Sequence, residues 1–182
     1  MKRIMIIGFS GAGKSTLARK LGELLNITPT YIDSIHWLPG WVENSDENKE
    51  KILARVLEND CWIIDGSYRK LLWERRLELC DTIIYLDINR FTCFKNACIR
   101  RIKYNGKTRP DMGEGCEERL NLEFAKWVLI DGRRKRTKTL ETVEKMKQSK
   151  SVYVFKSTRQ VNKWLNELKG MIKNESPNEL VQ

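Results

Sequence analysis

The chain has 182 residues, of which 41% are hydrophobic, and it carries a formal net charge of +10 at pH 7. This length suits one domain with a sizeable core. The sequence contains neither the roughly 18 consecutive apolar residues of a membrane span nor the pattern of a secretory signal. These two observations predict a cytoplasmic protein. Five cysteines without CxxC spacing and a single histidine argue against a disulfide framework and a zinc site, so the cysteines are expected to be reduced and mostly buried.

The first predicted elements are a strand at residues 2–7 and a helix at residues 14–25, and the sequence GFSGAGKS at residues 8–15 lies between them. This is the pattern G-x-x-x-x-G-K-[ST], in which a glycine-rich turn at a helix N-terminus points backbone N–H groups at the phosphates of a nucleotide. Lys14 can reach the β- and γ-phosphates, and the Ser15 hydroxyl can bind Mg²⁺. The sequence therefore predicts ATP and Mg²⁺ as ligands, held by Gly8, Gly11, Ala12, Gly13, Lys14, Ser15 and Thr16.

A short strand at residues 30–32 is predicted to deliver Asp33 at its carboxyl end, where ligands bind in open α/β sheets. Asp33 is therefore a candidate for the site, although a capping role in a helix or turn would also explain it. Residues 34–44 are too punctuated for a helix and are predicted to form an aromatic loop. In this loop Trp37 either stacks on a base or packs in the core, and His36 is either a structural residue or part of the site.

The apolar run at residues 61–64 is typical of an inner parallel strand, and it ends at Asp65. An acidic residue that ends a buried strand beside a nucleotide loop commonly orders the water shell of the metal. Asp65 is therefore predicted to be a second-sphere residue for Mg²⁺. Residues 67–70, among them Tyr68, are expected to bring polar and cationic groups to the same edge of the sheet.

The remaining elements follow from periodicity and capping signals. Strands are predicted at residues 82–86 and 152–155, and helices at residues 45–58, 71–79 and 90–104. Three more helices are predicted: one begins at residue 117, a second ends at about residue 147, and the last begins at residue 157. The helix at residues 45–58 is expected to bury Ile52 among its apolar residues. Residues 133–136 form a basic run, which is either a solvated face or a contact for nucleic acid or phosphate.

Residues 105–115 form a polar, glycine-punctuated segment, and such long loops in compact domains are usually lids or disordered. Arg109 and Asp111 are predicted to lie on this lid and to close over a phosphoryl group. Arg100 lies near the C-terminal end of the preceding helix, where the helix dipole alone would explain a cation. Arg119 falls in the first turn of the next helix, where a cation is unfavourable, which indicates another task.

The sequence resembles the P-loop nucleoside-monophosphate kinases of adenylate kinase type, and more narrowly the bacterial proteins labelled DNA topology modulation proteins, the FlaR-like branch of that group. The matching features, which extend over about residues 2–165, are GFSGAGKS, Asp33 with His36 and Trp37, DGSY at residues 65–68, KTRPDMGEGC at residues 107–116, Glu118 with Arg119, and FAKW at residues 124–127. The string at residues 107–116 is specific to the branch, whereas GFSGAGKS is shared by many unrelated NTPases.

Five strands that alternate with helices predict a P-loop NTPase fold of three α/β/α layers, in which a five-stranded parallel sheet has helices on both faces and an arginine-bearing lid. A single domain is expected at residues 1–173, with the lid at about residues 103–118 and a polar tail at residues 174–182. The resemblance implies that ATP is the phosphoryl donor and that the acceptor binds near Asp33, the aromatic loop and Asp65. It further implies that Arg100, Arg109 and Arg119 neutralise the transferring phosphoryl group, and that Arg159 borders the adenine. The tryptophan-rich acceptor region departs from the adenylate kinase pattern.

Two functions are therefore weighed. The first is a Mg·ATP-dependent kinase of a nucleotide, nucleoside or similar small metabolite. Its catalytic residues would be Lys14, Asp65 and the three arginines of the lid and its flanks, and its acceptor-binding residues would be Asp33, His36, Trp37 and Tyr68. The second is a DNA-associated regulatory protein that uses ATP as a switch or not at all. The net charge of +10 suits either a nucleic acid or a highly charged phosphate substrate.

Overall fold

Strands and helices alternate along the chain. The structure is a computed structural model and describes residues 1–109, 111–113, 115–117, 122–130 and 136–175. Its strands are β1 (Arg3–Gly8), β2 (Pro29–Tyr31), β3 (Trp37–Leu38), β4 (Val42–Glu43), β5 (Trp62–Asp65), β6 (Thr82–Leu86) and β7 (Ser151–Phe155). Its helices are α1 (Lys14–Leu25), α2 (Ile32–His36), α3 (Asp46–Leu57), α4 (Trp73–Leu79), α5 (Arg90–Lys103), α6 (Leu122–Leu129), α7 (Arg136–Met146) and α8 (Thr158–Glu175).

Five of the strands form one parallel sheet in the order β2-β5-β1-β6-β7, and β3 and β4 form a separate antiparallel hairpin. β1 lies at the centre, where Met5 pairs with Ile64 of β5 on one side and with Ile83 of β6 on the other. From β1 the chain continues to β2 and β5 on one side of β1, and then to β6 and β7 on the other side. A ligand crevice is expected at such a reversal, beyond the carboxyl ends of the strands.

Alternate residues of β1 enter two separate cores. Ile4 and Ile6 pack with α1, α5, α6 and α8 on one face, while Met5 and Ile7 pack with α2, α3, α4 and α7 on the other. All four side chains are fully buried. A strand buried on both faces explains the continuous apolar sequence of β1, and the predicted three-layer α/β/α fold is confirmed.

The prediction of an irregular aromatic loop at residues 34–44 is wrong. The chain forms the short helix α2 there and then the β3–β4 hairpin, so Asp33 lies in the first turn of a helix directly after β2. Ile32 and Ile35 of α2 are both buried, at the spacing of one helical turn. Pro39 and Gly40 interrupt the chain only after α2 has ended, and they form the turn of the hairpin.

Several local predictions agree with the structure. Helix α1 has the predicted bounds, the Ser45 hydroxyl accepts a hydrogen bond from the Asn48 N–H at the start of α3, and the Asn89 side chain caps α5. The prediction that α3 buries Ile52 is wrong, because this side chain is exposed. The five cysteines are free thiols, three of them buried.

Some predictions concern residues that the structure leaves undescribed. Arg119, residues 133–135 of the basic run and residues 176–182 of the tail lie outside the described residues. Residues 174 and 175, predicted to belong to the tail, are still part of α8. Within the described ranges, each helix is too short or too polar to cross a lipid bilayer.

Candidate active site

A cleft of about 540 Å³ opens where the glycine-rich loop of residues 8–15 leaves β1. Its walls come from this loop and α1, the end of β2, the first turn of α2, helix α5, the lid segment and the start of α8. Beyond the glycine-rich loop, its lining side chains include Arg19, Lys20, Tyr31, Asp33, Asn96, Ile99, Arg100, Lys103, Tyr104, Arg109, Asp111, Thr158, Val161 and Asn162. Residues distant in sequence therefore meet at the position predicted for the site.

Helix α5 holds the glycine-rich loop in shape. Gly11 and Gly13 have φ angles of +76° and +93°, in the left-handed region that favours glycine. A Cβ atom on Gly11 would lie 2.2 Å from the carbonyl oxygen of Cys93 in α5, so no larger residue fits there without a backbone shift. The Asn96 side chain, one turn further along α5, donates a 2.9 Å hydrogen bond to the Gly11 carbonyl. Asn96 could not be identified as part of the site from the sequence, because no local signal links it to residue 11.

The N-terminus of α1 is the part of this loop that suits an anion. Gly13 caps the helix without a side chain, so the N–H groups of the first turn have no side-chain cap. Ala12, Gly13 and Thr16 line the cleft at this end, where the helix dipole favours negative charge. Lys14 also lines the cleft, and its ammonium lies 3.4 Å from the Phe9 carbonyl oxygen.

Ser15 and Asp65 form the link between this helix and β5. The Ser15 hydroxyl donates a 2.7 Å hydrogen bond to Oδ2 of Asp65, whose other oxygen, Oδ1, is buried and has no hydrogen-bond partner. Burial raises the pKa of Asp65 to about 6, while Lys14 and the Ser15 hydrogen bond oppose this shift. A hydroxyl next to a carboxylate with a spare oxygen is a donor set that fits Mg²⁺ and its water shell.

Ser67, to which the sequence assigned no individual role, forms hydrogen bonds at the start of the glycine-rich loop. Ser67 accepts a hydrogen bond from the Gly8 N–H and donates one to the Gly8 carbonyl, each 3.0 Å long. On the opposite side, a Cβ atom on Gly8 would lie 2.8 Å from the Leu86 carbonyl oxygen. The end of β1 is therefore clamped between the segment after β5 and the end of β6.

Arg76 supports the segment that carries Ser67. Its side chain is fully buried and donates hydrogen bonds to the carbonyl oxygens of Gly66, Tyr68 and Leu71. Burial lowers the pKa of Arg76 to about 10, and Coulombic interaction with Cys80 opposes the shift. Arg76 falls in the predicted helix at residues 71–79, and a cation bound by backbone carbonyl oxygens leaves no pattern in the sequence that would reveal its role.

Asp33 and Tyr68 meet at the acceptor side predicted for the cleft. The Tyr68 hydroxyl donates a 2.8 Å hydrogen bond to Oδ1 of Asp33, which itself lines the cleft. Burial raises the pKa of Tyr68, and the negative charge of Asp33 adds to this shift. Tyr68 is therefore held as a protonated donor that fixes the orientation of the Asp33 carboxylate.

His36 and Trp37 lie behind this pair and are not among the residues that line the cleft. The His36 ring lies 4.9 Å from the ring of Tyr68 and 4.7 Å from that of Trp37, between ring centroids. Burial lowers the pKa of His36, and the nearby Lys49 ammonium lowers it further. The aromatic cluster thus packs against Tyr68 rather than reaching into the cleft.

The structure brings two of the predicted lid arginines to the cleft. Arg100 lines it from the last turn of α5, and Arg109 lines it from the lid, where its guanidinium lies 3.0 Å from the carboxylate of Asp111. Arg119 lies outside the described residues. At the start of α8 the cleft is lined by Thr158 and Asn162, whereas the exposed Arg159 is not among the lining residues.

The lid also packs on the β3–β4 hairpin. A Cβ atom on Gly113 would lie 2.3 Å from the Trp37 carbonyl oxygen, so the two backbones are in direct contact. The Cys116 thiol donates a hydrogen bond to the Leu38 carbonyl at 3.3 Å. The hairpin that the sequence did not predict therefore serves as the support of the lid.

Two solved shikimate kinases and one solved structure described as a putative kinase share this architecture. The shikimate kinase from Acinetobacter baumannii, in complex with shikimate, superposes with a TM-score of 0.59 at 15% identity, over 98% of this chain and 96% of that one. The shikimate kinase from Bacteroides thetaiotaomicron gives 0.54 at 16% identity, over 94% and 98%. A putative kinase from Chloroflexus aurantiacus gives 0.51 at 13% identity, over 94% and 96%.

The fold is that of a P-loop NTPase of the nucleoside-monophosphate-kinase-like type. At identities of 13–16% these similarities establish the fold alone. No protein-family model matches the sequence, and no curated protein matches it either. What this cleft can do chemically therefore depends on its own residues.

Proposed function

We propose that this protein is a Mg·ATP-dependent kinase of a small-molecule acceptor. The observation that carries the proposal is the convergence of the P-loop (residues 8–15), Asp33, Arg100 and Arg109 on one cleft. Asp65 joins this set through its hydrogen bond with Ser15. Phosphoryl transfer needs positioning and charge neutralisation more than covalent chemistry, and this set supplies both. The P-loop holds the donor phosphates, and the two arginines neutralise the group in transfer.

The residues present fit Mg²⁺ as the metal. Ser15 would be a direct ligand, and Asp65 would hold the water shell through the buried Oδ1 that has no other partner. When bound, the ion would neutralise charge on the donor phosphates. Thr158 and Asn162 line the cleft at the start of α8, which supports them rather than the exposed Arg159 as the residues that would border the base of the nucleotide.

The binding test uses calorimetric titration of ATP with and without Mg²⁺ on the wild-type protein and on Lys14→Ala. Loss of one charge-assisted contact to phosphate is expected to weaken binding by about tenfold to a hundredfold. Lys51→Ala removes an exposed lysine of α3 outside the cleft and is expected to leave binding unchanged. If Mg·ATP fails to bind, or binds to Lys14→Ala as it does to the wild type, the kinase proposal is wrong.

A role in DNA regulation has less support. Arg136 is the one member of the basic run at residues 133–136 that the structure describes, and it forms a bidentate pair with Asp87, with bonds of 2.7 and 2.6 Å. That pairing favours a structural task for this arginine. Membership of the FlaR-like branch, supported by the string at residues 107–116, is compatible with the kinase proposal, since the branch shares the P-loop and the lid.

A further inference from the structure

We propose that Trp127 is a positioning residue for the bound nucleotide. By stacking on Phe9 of the glycine-rich loop, its indole fixes the part of the loop on which Lys14 rests. The inference rests on the proposed binding of Mg·ATP by this loop. It extends that binding to a side chain of α6 that is not among the residues lining the cleft.

Phe9 is the only large apolar residue of the loop at residues 8–15, whose other members are glycine, serine, alanine and lysine. Its carbonyl oxygen accepts a 3.1 Å hydrogen bond from the Ala12 N–H and a 3.4 Å hydrogen bond from the Lys14 ammonium. The orientation of Phe9 therefore sets both the turn of the loop and the resting position of Lys14. Because glycine restrains a backbone little, a contact of the Phe9 side chain is an effective way to fix this orientation.

Trp127 supplies such a contact. Its ring is stacked on the ring of Phe9, with the centroids 4.5 Å apart and an angle of 28° between the planes. Phe124, about one turn earlier on α6, lies 5.9 Å from Trp127 between ring centroids. Aromatic pairs at such distances attract each other beyond the effect of burial alone. The loop is thus held from outside the cleft by an aromatic ring of α6.

The attachment of α6 to the core does not explain this tryptophan. Val128, the next residue, is fully buried in the core on this face of the sheet, and Phe124 packs against the same core. Trp127 itself remains 43% exposed. A side chain that served only to anchor the helix would bury its ring, as Val128 buries its side chain. The ring of Trp127 instead lies over the loop.

The helix before the lid and the helix after it both contact the glycine-rich loop. In α5, Asn96 donates its hydrogen bond to the Gly11 carbonyl. In α6, Trp127 stacks on Phe9. These two contacts lie at different points of the loop. Loss of the stack is therefore expected to loosen Phe9 and Lys14 while the contact at Gly11 remains.

Calorimetric titration of Mg·ATP tests the stack in Trp127→Leu, Phe9→Leu and the double variant. Each single substitution keeps an apolar side chain but removes the ring pair, and a less restrained loop must be ordered on binding. Each is expected to weaken Mg·ATP binding about threefold to tenfold. The double variant is expected to lose no more than either single variant, because all three lack the same contact. Trp127→Phe keeps a ring and is expected to bind to within about twofold of the wild type.

Trp164→Leu is the matched control for a merely structural role. Trp164 of α8 packs on Tyr153 and Phe155 of the edge strand β7, at 5.0 and 5.5 Å between ring centroids. Thermal unfolding is expected to show lower stability for both Trp164→Leu and Trp127→Leu, whereas only Trp127→Leu is expected to bind Mg·ATP more weakly.

Four results would each overturn this inference. They are wild-type affinity in Trp127→Leu, losses that multiply in the double variant, an equal loss of affinity in Trp164→Leu, and a Trp127→Phe protein that binds no better than Trp127→Leu. Each of them is measured against a wild-type protein that binds Mg·ATP, and so leaves the kinase proposal intact. A wild-type protein that does not bind Mg·ATP defeats the kinase proposal instead.

Discussion

The indole N–H of Trp41 donates a 3.0 Å hydrogen bond to the carbonyl oxygen of Glu117, and so joins the β3–β4 hairpin to the lid. Trp41 has a φ angle of +66°, in the left-handed region where a bulky residue is strained. Trp37 and Leu38 of the same hairpin contact Gly113 and Cys116 of the lid. The hairpin therefore supports the lid, which carries Arg109 into the cleft.

Replacing Trp41 by Phe tests whether this link positions the lid. The change keeps an aromatic ring but removes the N–H donor. Loss of one hydrogen bond of about 1 kcal/mol is expected to lower ATP turnover about fivefold, because Arg109 is held less firmly, while the Kd for ATP stays within twofold. Val42→Ala alters an exposed residue of the same hairpin and serves as the control. Equal turnover in Trp41→Phe and Val42→Ala would argue against the link.

Asp65 is expected to make stability depend on pH in the absence of Mg²⁺ and nucleotide. Burial raises its pKa to about 6 from an ordinary value of 3.8, so between pH 4 and 6 the folded protein binds more protons than the unfolded chain. This group therefore adds stability as the pH falls through that window and costs stability above it.

Asp65→Asn removes this titration and leaves an acceptor for the Ser15 hydroxyl. At pH 8 the variant is expected to be more stable than the wild type by up to about 3 kcal/mol, a difference that disappears towards pH 4. Urea unfolding in EDTA at pH 4.5, 6 and 8 measures it. A constant difference between the two proteins across this range would show that the Asp65 carboxylate does not titrate there.

Arg76→Met is expected to destabilise the protein by about 3 kcal/mol or more, because it leaves the buried carbonyls of Gly66, Tyr68 and Leu71 without their donor. Arg75 is exposed on the same helix, so Arg75→Met is the matched control and is expected to change stability by less than about 0.5 kcal/mol. Urea unfolding of both variants is the measurement. Similar stabilities for the two would mean that water or a backbone shift satisfies the three carbonyls.

Gly11→Ala is expected to abolish Mg·ATP binding and to lower stability, since the new Cβ atom would collide with the Cys93 carbonyl and residue 11 requires a positive φ. Gly170→Ala is the control, because Gly170 lies in α8 with open space around its Cβ position. That substitution is expected to be neutral or to stabilise by about 0.5–1 kcal/mol through helix propensity. Calorimetric ATP titration and thermal unfolding separate the two outcomes, and ATP binding by Gly11→Ala at wild-type affinity would contradict the proposed packing of α5 on the loop.

The sequence by itself determined the elements whose signals are local. Periodicity gave the bounds of α1, and capping chemistry gave the caps at Ser45 and Asn89. Continuous apolar runs gave the buried strands β5 and β6. All of these signals involve only neighbouring residues. The GFSGAGKS motif likewise identified the loop at the centre of the sheet, and with it the place of the cleft.

Only the tertiary structure decided which distant groups meet. Three side chains form hydrogen bonds with backbone groups of other segments: Ser67 with Gly8, Asn96 with Gly11, and Arg76 with three carbonyl oxygens. Almost every residue offers the same backbone groups. The sequence therefore carries no mark of these partners. The contact of the hairpin with the lid and the hydrogen bond from Tyr68 to Asp33 arise in the same way, from segments that become neighbours only after the sheet has assembled.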